Sequence, residues 1–157
     1  VDEGIRGHRL TATSAPQSVL NEYAAIFARA GPELFQERVA DLRGAVIHDA
    51  ALTATVLRRA RLQRADFRGS NLSRADLSHS DLSGADLSPE ELPNASFAHA
   101  NLTGARLVEA NMWRADFSHA DLTDADFTGA ALPDAKLDGA RLCRTRLPDR
   151  VDSSGCP

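Results

Sequence analysis

The chain has 157 residues, 18 basic against 22 acidic ones, and a net charge of −4. That length fits one domain with a small accessory segment, and the charge balance gives no basic surface of the kind that binds nucleic acid. No apolar run approaches the ~18 residues of a membrane span, and two cysteines are too few for a zinc site or a disulfide scaffold. The first stretch, 1–13, is polar and of mixed charge. It reads as an extended or disordered N-terminus rather than a secretory signal, so the expected location is cytoplasmic.

Residues 14–39 differ from the rest. Ser14 can cap a helix whose apolar stripe is Val19, Leu20, Tyr23, Ile26, Phe27 and Ala30, at spacings of three and four. Gly31-Pro32 ends it, and a shorter helix with Leu34, Phe35 and Val39 follows. The pattern predicts a helical N-terminal cap.

From Leu42 to Leu147 every fifth residue is large and apolar. The central members are Leu62, Phe67, Leu72, Leu77, Leu82, Leu87, Phe97, Leu102, Leu107, Met112, Phe117, Leu122 and Phe127. Two residues before each stands a small one, usually alanine, as in Ala65, Ala75 and Ala85. Five steps on an α-helix rotate roughly 140°, which scatters such a row around the cylinder. On a flat strand an odd spacing throws successive members to opposite faces. A short extended piece followed by a corner satisfies both rows: the small and the large residue face inward together, and the residue between them faces out. Arg68-Gly69, Ser83-Gly84, Thr103-Gly104 and Thr128-Gly129 fall at the corners with suitable turn chemistry. The prediction is an all-β solenoid over 40–149, each coil pairing with the next about 4.8 Å away.

Ala75-Asp76-Leu77, Ala85-Asp86-Leu87, Ala115-Asp116-Phe117 and Ala125-Asp126-Phe127 resemble the A-(D/N)-L-x-x motif of the pentapeptide-repeat family. The resemblance covers 40–149. It implies a right-handed quadrilateral parallel β-helix with four pentapeptides per coil, hence about five and a half coils. It also implies that a DNA-mimicking role toward DNA gyrase is open, since some members protect gyrase from quinolones through an acidic, rod-like dimer. This chain lacks their helical C-terminal dimerisation segment, and its arginines interrupt the acidic rows.

With twenty residues per coil, residues spaced by twenty stack in outward columns. Asp66, Asp86 and Asp126 share one, and Asp76 and Asp116 another; these carboxylates are candidate binding residues. Trp113, flanked by Arg74 and Arg114, is a candidate contact point, with packing on Pro93 and Pro133 as the preferred reading. His79, His99 and His119 form a corner ladder. It is a weak metal candidate, more simply read as solvated corners. Glu90 occupies the small inward row, where an unpaired carboxylate is costly. The expectation is a local bulge over 88–94 that turns it to solvent.

The last residues, 150–157, are polar and read as a flexible tail. With no covering element, the final coil around Leu137, Leu142 and Leu147 is expected to stay open and to pair with a second copy as a homodimer. No nucleophile stands at recognisable spacing from a base, and no phosphate loop occurs. The chain therefore reads as a non-enzymatic, cofactor-free scaffold that binds a protein partner. The alternative is a carrier whose Ser153-Ser154-Gly155-Cys156-Pro157 end is modified by an enzyme.

Overall fold

A computed structural model of the chain describes residues 41–157. The N-terminal segment 1–13 and the expected helical cap 14–39 lie outside the described residues.

Parallel bridges join residues twenty apart along the whole solenoid, from Asp41↔Arg61 through Asp66↔Asp86 and Asn101↔Asp121 to Asp126↔Arg146. One coil is therefore four pentapeptides, one per flat side. Each side contributes a single bridged residue, the outward one between the small and the large inward residues. The backbone satisfies itself with few exceptions. Leu62 N–H donates to Asp81 O at 2.7 Å, Arg64 N–H to Ser83 O at 2.9 Å, and Asp81 N–H to Ala60 O at 2.9 Å. Ala65 N–H closes the corner on Leu62 O at 3.0 Å. A chain with so little regular strand can be buried this deeply because these bonds leave almost no backbone group unspent.

From Gly44 to Arg144 the second corner residue is left-handed, as the i+2 position of this turn requires, except at Pro89, where the Ser88-Pro89 peptide bond is cis. Glycine supplies it at Gly44, Gly69, Gly84, Gly104, Gly129 and Gly139, but arginine, histidine, aspartate and alanine adopt the same φ near +58° elsewhere. At Gly69 the absence of a side chain also matters, because a Cβ there would overlap the Asp49 carboxylate.

Inside, the large row forms one continuous core, and every member from Leu62 to Phe127 is fully buried. Phe97 and Phe117 lie one coil apart and stack with centroids 4.9 Å apart, while Phe127 meets Phe117 edge-on at 5.6 Å. Alanine opposite these rings leaves room for them, which explains the small row.

Two expectations fail. Glu90 is not turned out; it is 3% exposed. The twenty-residue register would give Gly69 N–H the carbonyl of Ser88, and that bond is absent. The Glu90 carboxylate instead accepts from the Gly69 and Ser70 amides, leaving Oε1 without a partner. The side chain replaces a missing ladder acceptor, so no outward bulge is needed. Residues 150–157 are not a flexible tail either. The chain reverses after Leu147, whose N–H donates to Arg150 O at 2.7 Å. Strand β1 (Thr145–Arg146) then pairs antiparallel with β2 (Val151–Asp152), and Cys143 is disulfide-bonded to Cys156. The two cysteines read as too few for a scaffold thus make a single clasp.

The last coil is open in part. Leu132, Leu137, Ala140 and Leu142 are only partly buried. Among the described residues the ladder stops at Phe127 N–H to Arg146 O.

Candidate interaction surface

The candidate carboxylates are placed by the coil, one per flat side, and the structure shows what occupies them. In each, Oδ1 accepts from the amide two residues on: Ser78 to Asp76 at 3.0 Å, Ser88 to Asp86 at 3.1 Å, Ser118 to Asp116 at 2.9 Å and Thr128 to Asp126 at 3.0 Å. The Ser78 and Thr128 hydroxyls add bonds to the same oxygens. A short acidic side chain here tethers the corner that follows it. Aspartate recurs in the motif for that reason before any reason of recognition.

In Asp66, Asp76, Asp86 and Asp116 the second oxygen meets a cation. Arg68 forks onto Asp66 at 2.6 and 2.9 Å, and His48 Nε2 lies 2.9 Å from the same carboxylate. One coil along, Arg106 approaches Asp86 at 3.6 Å and Lys136 approaches Asp116 at 3.9 Å. Arg58 stands 3.7 Å from Asp76 and Arg141 stands 3.6 Å from Asp121. The Arg68 guanidinium holds the Asp66 carboxyl well below the usual carboxylate range. The Thr128 hydroxyl lowers Asp126 against some burial. At Asp116 burial pushes upward, but the Ser118 bonds, Lys136 and His119 outweigh it and leave the group lowered. All three stay ionised, yet the columns are neutralised along their own length.

The histidine ladder is a parallel stack. His79 and His99 have centroids 4.8 Å apart at 6°, and His99 and His119 are 5.0 Å apart at 13°. Rings held face to face point their nitrogens the same way and do not converge. Among the described residues no group of three or more histidines, cysteines or acids is arranged to hold a metal ion.

Trp113, read from the sequence as packing on Pro93 and Pro133 in a surface ridge, keeps part of its surface open. It is 41% exposed and, with Val151, is one of two exposed large apolar side chains among the described residues. The Arg114 guanidinium lies 4.6 Å over its ring, with Asp134 4.0 Å beyond. Arg74, two coils below Arg114 in the same corner column, is also exposed. Of the candidate residues, this aromatic–arginine group is the part not committed to holding a corner. The sequence reading missed the pairing of Cys143 with Cys156 and the buried position of Glu90. The inward register of Glu90 and the presence of two cysteines were the only signals available for them.

No curated protein matches the chain. Among solved structures, the pentapeptide-repeat protein Rfr23 from the cyanobacterium Cyanothece 51142 is 37% identical, with a TM-score of 0.54 over 55% of this chain and 58% of its own. Trypsin-treated QnrB1 R167E, described as a plasmid-mediated fluoroquinolone resistance protein, is 23% identical with a TM-score of 0.51, over 65% of this chain and 57% of its own. The chain thus spans under two thirds of either relative. Both likenesses support a right-handed β-helix. Pentapeptide-repeat family models match residues 50–88, 95–132 and 110–148, with eight copies of the repeat. Together with the twenty-residue register and the filled hub, this makes the chain a member of the pentapeptide-repeat family.

Proposed function

We propose that this protein is a non-enzymatic scaffold whose outer wall is an interaction surface for a protein partner. The observation that carries the reading is Trp113: a large aromatic held in the open, with Arg114 stacked on it, on a rod whose hub is filled by buried leucine and phenylalanine. Exposed tryptophan and arginine supply a large share of binding energy at protein contacts. The uncovered Leu132 and Leu137 support a second contact, with another copy of the chain stacked on the last coil. A cytoplasmic setting belongs to this proposal as well.

The narrower reading is a DNA mimic that binds gyrase. The rod shape favours it. A mimic needs a continuous anionic face, however, and Arg106, Lys136, Arg141 and Arg146 break the columns, with three of these cations within ion-pair reach of an aspartate one coil away. The general scaffold is therefore the better-supported form. The carrier reading loses ground because Cys156 is disulfide-bonded and the end of the chain is folded back.

A gyrase supercoiling assay with and without ciprofloxacin separates the two. Under the scaffold reading a tenfold molar excess of this protein leaves supercoiling and drug inhibition unchanged. Restored supercoiling in the presence of drug would establish the mimic instead. In either case the Trp113→Ala variant should keep its stability within about 0.5 kcal/mol. It should bind whichever partner is captured at least tenfold more weakly, and unchanged binding would remove Trp113 from the surface.

A further inference from the structure

The end of the rod carries a device that the repeat does not require. Residues 148–157 fold back as a flap over the last coil. β2 lies against β1 with Thr145 opposite Asp152 and Arg146 opposite Val151. Gly155 N–H donates to Leu142 O at 2.7 Å, and the approach is so close that a Cβ on Gly155 would sit 2.8 Å from Leu142 N. The flap thus occupies the free edge of two sides, where another coil would otherwise pair. Its own apolar anchoring is slight, since Val151 is 63% exposed. A two-stranded pair with so little burial is marginal by itself. The covalent link between Cys143 and Cys156 is therefore the principal restraint on it.

We propose that this disulfide is a redox clasp that controls access of a second copy of the chain to the terminal coil. The second half of that statement rests on the end-to-end dimer above. The two sulfurs are unequal. Cys156 is an exposed residue, whereas Cys143 is 1% exposed and has Arg144 Nη1 3.5 Å from its sulfur. An incoming thiolate from a dithiol reductant attacks the Cys156 sulfur, and Cys143 leaves as a thiolate stabilised by the neighbouring guanidinium. The reductant's second thiol then displaces Cys156 from the mixed disulfide. The reductant ends as a disulfide, and both cysteines end as thiols after taking up its two protons. Two electrons pass from the dithiol to the protein.

Once released, the flap uncovers the edge beside Leu142 and Leu147, which joins the already open edge beside Leu132 and Leu137. A complete square coil end is then available. Another copy is the occupant that fits it, because a second terminal coil presents the same edge spacing and the same two inward rows. The rim carries both signs, with Asp134 and Asp138 beside Lys136, Arg141 and Arg144. Two copies related by a twofold axis can therefore meet without bringing together rims of one sign.

Two measurements on the full chain test the two halves separately. Hydrogen exchange should show the Leu147 and Gly155 amides at least tenfold better protected in the oxidised protein than after dithiothreitol or in Cys156→Ser. Protection of Leu62 to Leu107 should be unchanged, which reports an intact coil. Equal exchange at Leu147 and Gly155 in both states would overturn the clasp. Sedimentation equilibrium should show the dimer dissociation constant at least tenfold tighter for the reduced protein and for Cys156→Ser. Released amides with an unchanged dissociation constant would overturn the gating of a second copy. No dimer in either state would overturn the dimer itself and leave the clasp standing.

Discussion

Glu90 shows how one side chain can carry a pH dependence for the whole rod. Burial, with Asp86 and Asp66 nearby, raises its pKa to about 7 from an ordinary 4.5, against the two backbone amides that it accepts from. Because the folded value is the higher one, folding is favoured while the carboxyl is protonated. Its contribution is fully present below about pH 4.5 and is lost as pH rises through 7. A shift of this size corresponds to about 3 kcal/mol. Asp66, Asp116 and Asp126 act oppositely, but only as pH falls through their lowered values, so the window from pH 5 to 8 lies above all three and spans the Glu90 transition. Chemical denaturation across that window should show stability falling for the native chain and nearly level for Glu90→Gln; parallel slopes would refute the assignment. Sequence alone showed that Glu90 falls in the inward register and that burying it unpaired is costly. It could not show that Gly69 N–H, on the coil below, had lost its carbonyl and would take the carboxylate.

The corner is the element on which the fold turns, and it is built at a cost. A left-handed residue with a side chain sits about 1–2 kcal/mol above glycine's ease in that region, partly offset by glycine's greater freedom when unfolded. Ala54, exposed and at φ 57°, is the simplest place to measure the difference. Ala54→Gly should raise stability by about 0.5–1 kcal/mol, whereas Gly69→Ala should lower it by about 1 kcal/mol, because a side chain is strained at φ 78°. Thermal unfolding of both variants checks the pair, and a loss at Ala54→Gly would contradict the strain argument. The position of the corners was legible from the glycines and the spacing. That histidine and arginine adopt the same conformation was not, since their own propensities argue against it and only the ladder bonds on both sides impose it.

At the scale of the molecule, stability should pass from coil to coil rather than reside in one place. Each coil touches only its neighbours, so a cavity in the middle breaks the stack in two. Phe117→Ala removes a ring packed on both Phe97 and Phe127 and should cost about 3–5 kcal/mol. Hydrogen exchange should show the loss spreading outward from the 97–137 coils, and a loss confined to residue 117 would argue against one-dimensional coupling. The filled hub was determined by the sequence, because a period of five with paired large and small residues turns both rows inward; the size of the coil, and with it the outward columns, was implied by the resemblance to the pentapeptide-repeat family and is shown by the bridges between residues twenty apart. Only the tertiary structure decided how those columns are used. Whether an aspartate is free, tied to a corner or paired with an arginine twenty residues away depends on geometry between coils. The same holds for the end of the chain. Cys143 and Cys156 are 13 residues apart, and nothing local brings them together until the chain turns back after Leu147 and sets Gly155 against Leu142.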